Sequence, residues 1–165
     1  MIMERQLQAN KTVRNYMWWS MGAGLIPVPF VDLAALTGVQ LKMLLDLSKE
    51  YDVKFSESKG KAAIASLLST IVPNSLSRGS VGSLLKVVPF VGSALGSFSM
   101  SIFSGASTYA LGKIFIQHYD SGGTLLTFDP EKVRDYYKNL FQEGREIAAE
   151  FEKNIDQEAK EGNEF

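Results

Sequence analysis

From Val87 to Gly112 the chain runs 26 residues without an Asp, Glu, Lys or Arg. Asn15 to Val31 and Ala62 to Ser77 are charge-free as well. A run of that length has to be buried by packing, in a helical core or in lipid. Val91 to Gly112 is long enough for a bilayer span, and Lys86 and Lys113 stand where they would reach the two interfaces. The 37 residues from Asp129 to Phe165 are by contrast heavily charged.

Small residues set the texture of the long run. Gly92 and Gly96 are four apart, and Ser93, Ser97, Ser101 and Gly105 continue at that spacing, as do Ser104, Thr108 and Gly112. Such strips let helix backbones approach closely, within or between subunits. A soluble core is expected to prefer larger side chains, because Gly and Ser bury little area. The hydroxyls of Ser93, Ser97, Ser101, Ser104 and Thr108 either line a water-filled path in an assembly or bond back to helix carbonyls.

Ahead of it, Met1 to Asn15 reads as a mixed-charge helix start. Tyr16-Met17-Trp18-Trp19 follows, and Tyr16, Trp18 and Trp19 suit either a membrane–water boundary beside Lys11 and Arg14 or an aromatic cluster at a helix end. Gly22 to Asp32 contains Pro27 and Pro29, which cannot both lie inside a regular helix, so a turn is expected there. Asp32 then caps a helix from Leu33 to about Tyr51, apolar to Gln40 and amphipathic around Lys42, Asp46, Lys49 and Glu50. Ser56 caps the next helix, which ends near Ile71-Val72 before Pro73. The long helix is expected over Ser93 to Tyr119.

Asp120-Ser121-Gly122-Gly123 is a turn signal, and Thr124 to Phe128 reads as a short extended piece. Asp129 and Pro130 open the last helix as cap and first residue, with Phe128 and Val133 at staple spacing. Val133, Tyr136, Tyr137, Leu140, Phe141, Ile147, Ala148, Phe151 and Ile155 form one apolar stripe on it. That stripe must bury against its own bundle, a second copy or a partner.

Composition removes several function classes. Seventeen basic residues against 18 acidic give a net charge of −1, which gives no reason to expect nucleic acid. There is no cysteine, and the one histidine, His118, cannot build a histidine-rich metal site. It sits where a helix C-terminus favours a cation. No phosphate-binding loop, zinc-protease motif or nucleophile elbow is present, and Gly22-x-Gly24 lacks a dinucleotide fingerprint. No catalytic residue, cofactor or metal is therefore expected. No cleavable signal peptide is expected ahead of Tyr16.

Val28-Pro29-Phe30-Val31 recurs as Val88-Pro89-Phe90-Val91, as two related hairpin tips would. The segments Gly24 to Leu36, Gln40-Leu41-Lys42-Met43, Lys86 to Gly92 and Thr108-Tyr109-Ala110-Leu111-Gly112-Lys113 resemble, in that order, the bacterial family called domain of unknown function 697. The resemblance covers residues 16 to 120. It implies an inner-membrane protein and an association with Era-like GTPases, here in trans because this chain holds no GTPase domain. It implies no catalytic residue.

The expected fold is an all-α bundle of about five to six helices, built from apolar hairpins with an amphipathic C-terminal helix. The expected division is 1–120 apolar and membrane-associated, 121–128 a turn, and 129–165 the charged helix and tail. Expected structural or interaction residues are Pro27, Pro29, Asp32, Gln40, Met43, Pro89, Gly92, Gly96, Gly105, Thr108, Tyr109 and Gly112. The expected function is a non-enzymatic, self-assembling protein of the bacterial inner membrane with its C-terminal helix in the cytoplasm. Two alternatives stand beside it: a soluble cytoplasmic adaptor, and an oligomeric pore.

Overall fold

The computed structural model describes residues 2–23, 29–71 and 100–162. These form five α-helices and no strand among the described residues: α1 (Ile2–Ala23), α2 (Pro29–Glu50), α3 (Glu57–Ile71), α4 (Met100–Asp120) and α5 (Arg134–Glu161). A 3-10 turn, Pro130–Val133, leads into α5. The chain is an all-α bundle.

α4 is the central helix. It packs against α1 and α5 along its length and also touches α2 and α3. Its residues from Ser104 to Gly112 are all buried, as are Ile114, Phe115 and Ile116. A helix enclosed on several sides has no solvent face on which to place a charge. The described part of the long uncharged run, Met100 to Gly112, is this buried helix. No described helix is long and apolar enough to cross a membrane. The first nine residues of the expected span, Val91 to Ser99, lie outside the described residues, as do Pro89, Gly92 and Gly96.

The small residues of α4 serve its central position. An added methyl group on Gly112 would lie 2.4 Å from Cγ2 of Val13 in α1. On Gly105 it would meet Met21 at 2.7 Å and Ala148 of α5 at 3.4 Å. From the other side, a methyl on Gly144 of α5 would come within 3.0 Å of the Ala106 backbone. Larger side chains at these places would hold the neighbouring helices off, so the expected preference for large core residues does not apply to this helix.

The surrounding helices bring the bulk. α1 presents Ala9, Val13, Met17 and Met21 at four-residue steps, all buried. Met43, Leu44 and Leu47 come from α2, Ile64 and Leu67 from α3, and Tyr137, Leu140 and Ala148 from α5. The stripe on α5 is thus covered by the chain's own bundle, with Tyr136 and Ile155 left largely exposed.

Helix ends follow local chemistry, with two corrections. Asp129 accepts the amide of Glu131 at 3.1 Å, with Pro130 in the first turn. Ser56 accepts the amide of Lys59 at 3.4 Å. Asp32 is not the cap of α2: the helix begins at Pro29, and Asp32 is its fourth residue. Proline suits a first helical position because the amide hydrogen it lacks has no partner there. Thr124 to Phe128 is a turn rather than an extended piece, closed by the Thr127 amide on the Thr124 carbonyl at 3.2 Å and by the Thr124 amide on the Thr127 hydroxyl at 2.8 Å.

Candidate functional site

Two polar features interrupt the apolar packing: a seam inside the bundle and a groove on its surface. The seam runs between α2 and α4. Gln40 is fully buried and donates from Nε2 to Ser107 Oγ at 3.1 Å and to Thr108 Oγ1 at 3.2 Å. Its Oε1 has no partner among the described residues. Ser101 donates to the Met21 carbonyl at 3.2 Å, and Ser107 to the Ser104 carbonyl at 3.1 Å. Ser20 adds a further hydroxyl within 3.2 Å of the same Ser104 carbonyl. The hydroxyls of Ser101, Ser107 and Thr108 on α4 are therefore engaged inside the chain, on neighbouring helices and on α4 itself. Met43 lies one helical turn along from Gln40 and is completely buried. Tyr109 donates to Glu143 Oε1 at 2.7 Å, which ties α4 to α5.

The groove lies between α1 and α2 and has a volume of about 810 Å³. The helices run antiparallel, because Thr12 donates to Glu50 Oε1 at 2.5 Å while Tyr16, one turn on, donates to the carboxylate of Asp46. Burial and the adjacent Asp46 push the Tyr16 phenol well above its ordinary range. Lys42 and Lys49 flank Asp46 at 3.9 and 3.7 Å, with ammonium groups largely in water. Beyond them the lining turns apolar: Trp19 on α1 faces Ala35, Gly38 and Val39 on α2. Trp19 is 73% exposed. A methyl group added to Gly38 would meet nothing within 4 Å. The groove thus grades from charged at Thr12 and Glu50 to apolar at Trp19 and Ala35.

The three aromatic residues expected at a membrane boundary occupy different settings. Tyr16 is held on Asp46, and Trp18 stacks on Phe151 of α5. Trp19 faces outward. Pro27 lies outside the described residues, and Pro29 and Asp32 lie in the first turn of α2. His118, near the end of α4, pairs its Nε2 with the Thr124 carbonyl at 2.8 Å and packs edge-on to Phe128. Among the described residues no cluster of His, Asp or Glu could hold a metal ion.

Sequence reasoning did not single out the groove residues Gly38, Asp46, Lys49 and Glu50 as a site. Their signal was the change of α2 from apolar to amphipathic beyond Gln40. What makes them a site is the pairing with α1, whose partner residues stand 30 and 38 positions away.

The end of the bundle beside the apolar part of the groove has a distinct sequence. Met21 packs on Ser101 and Gly105, so the C-terminus of α1 lies beside the N-terminus of α4. Ala23, Pro29 and Met100, the terminal residues of α1, α2 and α4, stand at that end. At the opposite end, Gln6 donates to Asp120 at 2.9 Å and the Arg5 guanidinium lies over the Tyr51 ring.

The comparisons with known proteins agree with the resemblance and extend it. The model of the family "Domain of unknown function (DUF697)" matches residues 1–146. Magnetosome membrane protein 22 of Magnetospirillum gryphiswaldense is 37% identical over 145 residues, covering 88% of this chain and 74% of that protein. No solved structure matches. The match takes in α1 and the first part of α5 as well as the central helices, and the chain belongs to the family of domain of unknown function 697.

Proposed function

We propose that this chain is a non-enzymatic helical module that seats on the bacterial inner membrane by one end of its bundle. The observation that supports this reading is Trp19, exposed on α1 near the end where α1 stops and α2 and α4 begin. In the sequence, the uncharged stretches Gly24 to Val28 and Val87 to Ser99 adjoin the described residues of that end. Similarity to a protein named for the magnetosome membrane supports it further. The seating is at the interface rather than across the bilayer. The last turns of α5 are charged, so they stay in water rather than in the apolar layer.

The test is flotation of the full chain with vesicles of bacterial lipid composition at neutral pH, with and without high salt. The chain is expected to float in both, and an Ile26→Glu, Leu95→Glu variant is expected to stay in the dense fraction. A wild-type chain that remains at the bottom of the gradient overturns the reading and leaves the soluble adaptor. Self-assembly and a GTPase partner in trans are further parts of this proposal. The described part of the small-residue strip, Ser101 to Gly112, packs within the chain, so an interface between copies would have to use other surfaces.

A further inference from the structure

We propose that two copies of this chain pair antiparallel along the first turns of α1, with Leu7 at the centre of the contact. The proposal rests on the self-assembly put forward above and supplies its surface; it needs no membrane. One face of α1 is covered along part of its length only. Ala9, Val13 and Met17 turn into the bundle, while Met3 and Leu7, one turn apart, are 75% and 67% exposed. Trp18 follows Leu7 by about three turns and so lies on the same face. There the chain's own α5 covers that face through Phe151. Toward the start of the helix the cover is gone, and every residue from Ile2 to Gln8 is exposed.

The charges on this face favour a second copy. Glu4 stands one turn before Leu7 and Lys11 one turn after it, on the same side of the helix. They are about 10 Å apart along the axis, too far to pair with each other. Neither forms an ion pair among the described residues. A second α1 running the opposite way sets Lys11 of each copy against Glu4 of the other, around a two-fold axis beside Leu7. A parallel α1 would set each charge against its own kind. A lipid layer would leave both charges unmatched. In the antiparallel register Ile2 of each copy stands level with Val13 of the other, short of the Trp18–Phe151 stack, so α5 does not obstruct the contact. Two or three helical turns from each copy bury less than a permanent dimer needs. A reversible dimer is expected, with a midpoint on the order of 10–100 μM.

The experiment is sedimentation velocity of the full chain over a concentration series in non-ionic detergent, without vesicles. The wild type is expected to pass from monomer to dimer across the series. Leu7→Glu should keep it monomeric with its melting temperature in place, because Leu7 faces outward. Glu4→Lys and Lys11→Glu should each weaken the dimer about tenfold, since each puts two like-charged pairs into the contact. The double reversal, Glu4→Lys with Lys11→Glu, should restore it. A chain that is monomeric throughout, a dimer that Leu7→Glu leaves intact, or a double reversal no better than the single ones overturns the proposal. Because no vesicle is present, a chain that floats yet stays monomeric loses this interface alone. A dimer that does not float loses the membrane reading alone.

Discussion

Trp18 and Phe151 stack with ring centroids 3.7 Å apart and planes inclined by 27°, joining the last turns of α1 to the far part of α5. Phe151 lies beyond residue 146, where the family match ends. The stack therefore fastens to the bundle a stretch of helix that lies outside the matched region. Phe151→Ala is expected to destabilise the bundle by about 2 kcal/mol and to admit protease to α5 past Ala148. Thermal melts and limited proteolysis check both. A double-mutant cycle with Trp18→Ala should return a coupling of about 1 kcal/mol; a coupling near zero would mean that the stack does not hold the tail.

Three glycines separate close approach from open surface. Gly112→Ala places a methyl against Val13, a β-branched residue with little rotamer freedom, and is expected to cost about 1–3 kcal/mol. Gly105→Ala meets the flexible Met21 and should come out near neutral, the contact offset by about 1 kcal/mol of helix propensity. Gly38→Ala meets nothing and should stabilise by up to about 1 kcal/mol. Urea unfolding of the three variants should give that order, and an equal response at all three would contradict the packing described for α4.

The seam between α2 and α4 gives a charge-sensitive position. Gln40→Leu should cost on the order of 1 kcal/mol, because Ser107 already bonds the Ser104 carbonyl and Thr108 can turn to a carbonyl of its own helix. Gln40→Glu should cost about 3 kcal/mol or more at neutral pH by burying a carboxylate. Burial raises the pKa of such a group in the folded state, so its neutral form is the favoured one. Stability of this variant should then improve as pH falls toward the carboxylate range, the opposite of ordinary acid denaturation. Melts of the two variants across pH distinguish polar burial from mere loss of shape.

Alkaline pH should loosen the whole bundle. Burial pushes the phenols of Tyr16, Tyr51, Tyr109 and Tyr137 above the ordinary value of 10.0, with Asp46 adding to the effect at Tyr16 and Glu143 at Tyr109. The unfolded chain then loses these protons at a lower pH than the folded chain does. Their contribution is complete below about pH 10 and is lost as pH rises through the folded values. The melting temperature should hold to about pH 9 and fall steeply beyond pH 10. Membrane attachment is accordingly read at neutral pH, since an alkaline wash would unfold the protein it is meant to test.

What could be read along the chain was local. The Ser56 cap appears as expected, and Asp129 and Pro130 do act as cap and first residue, though of the 3-10 turn that precedes α5 rather than of α5 itself. The apolar stripe of α5 showed that it needed a partner, while three partners remained open until α4 was seen beside it. The uncharged run was ambiguous for a physical reason: a helix surrounded by protein and a helix surrounded by lipid both exclude charge. The clue lay in its many Gly, Ala and Ser residues, which suit a helix approached from several sides. Tyr16 looked like an interfacial aromatic because its acceptor, Asp46, lies on another helix. Gly38 drew no notice, since the space beside it exists only once α1 and α2 are paired.

Ile2 and Ala23 stand at opposite ends of α1, separated by about 33 Å of helix. The exposed indole of Trp19 stands toward the Ala23 end. A domain fused ahead of Ile2 would project from the opposite side of the bundle. On a membrane approached by the Ala23 end, the helices would then act as a stand-off, holding such a domain a bundle's length away.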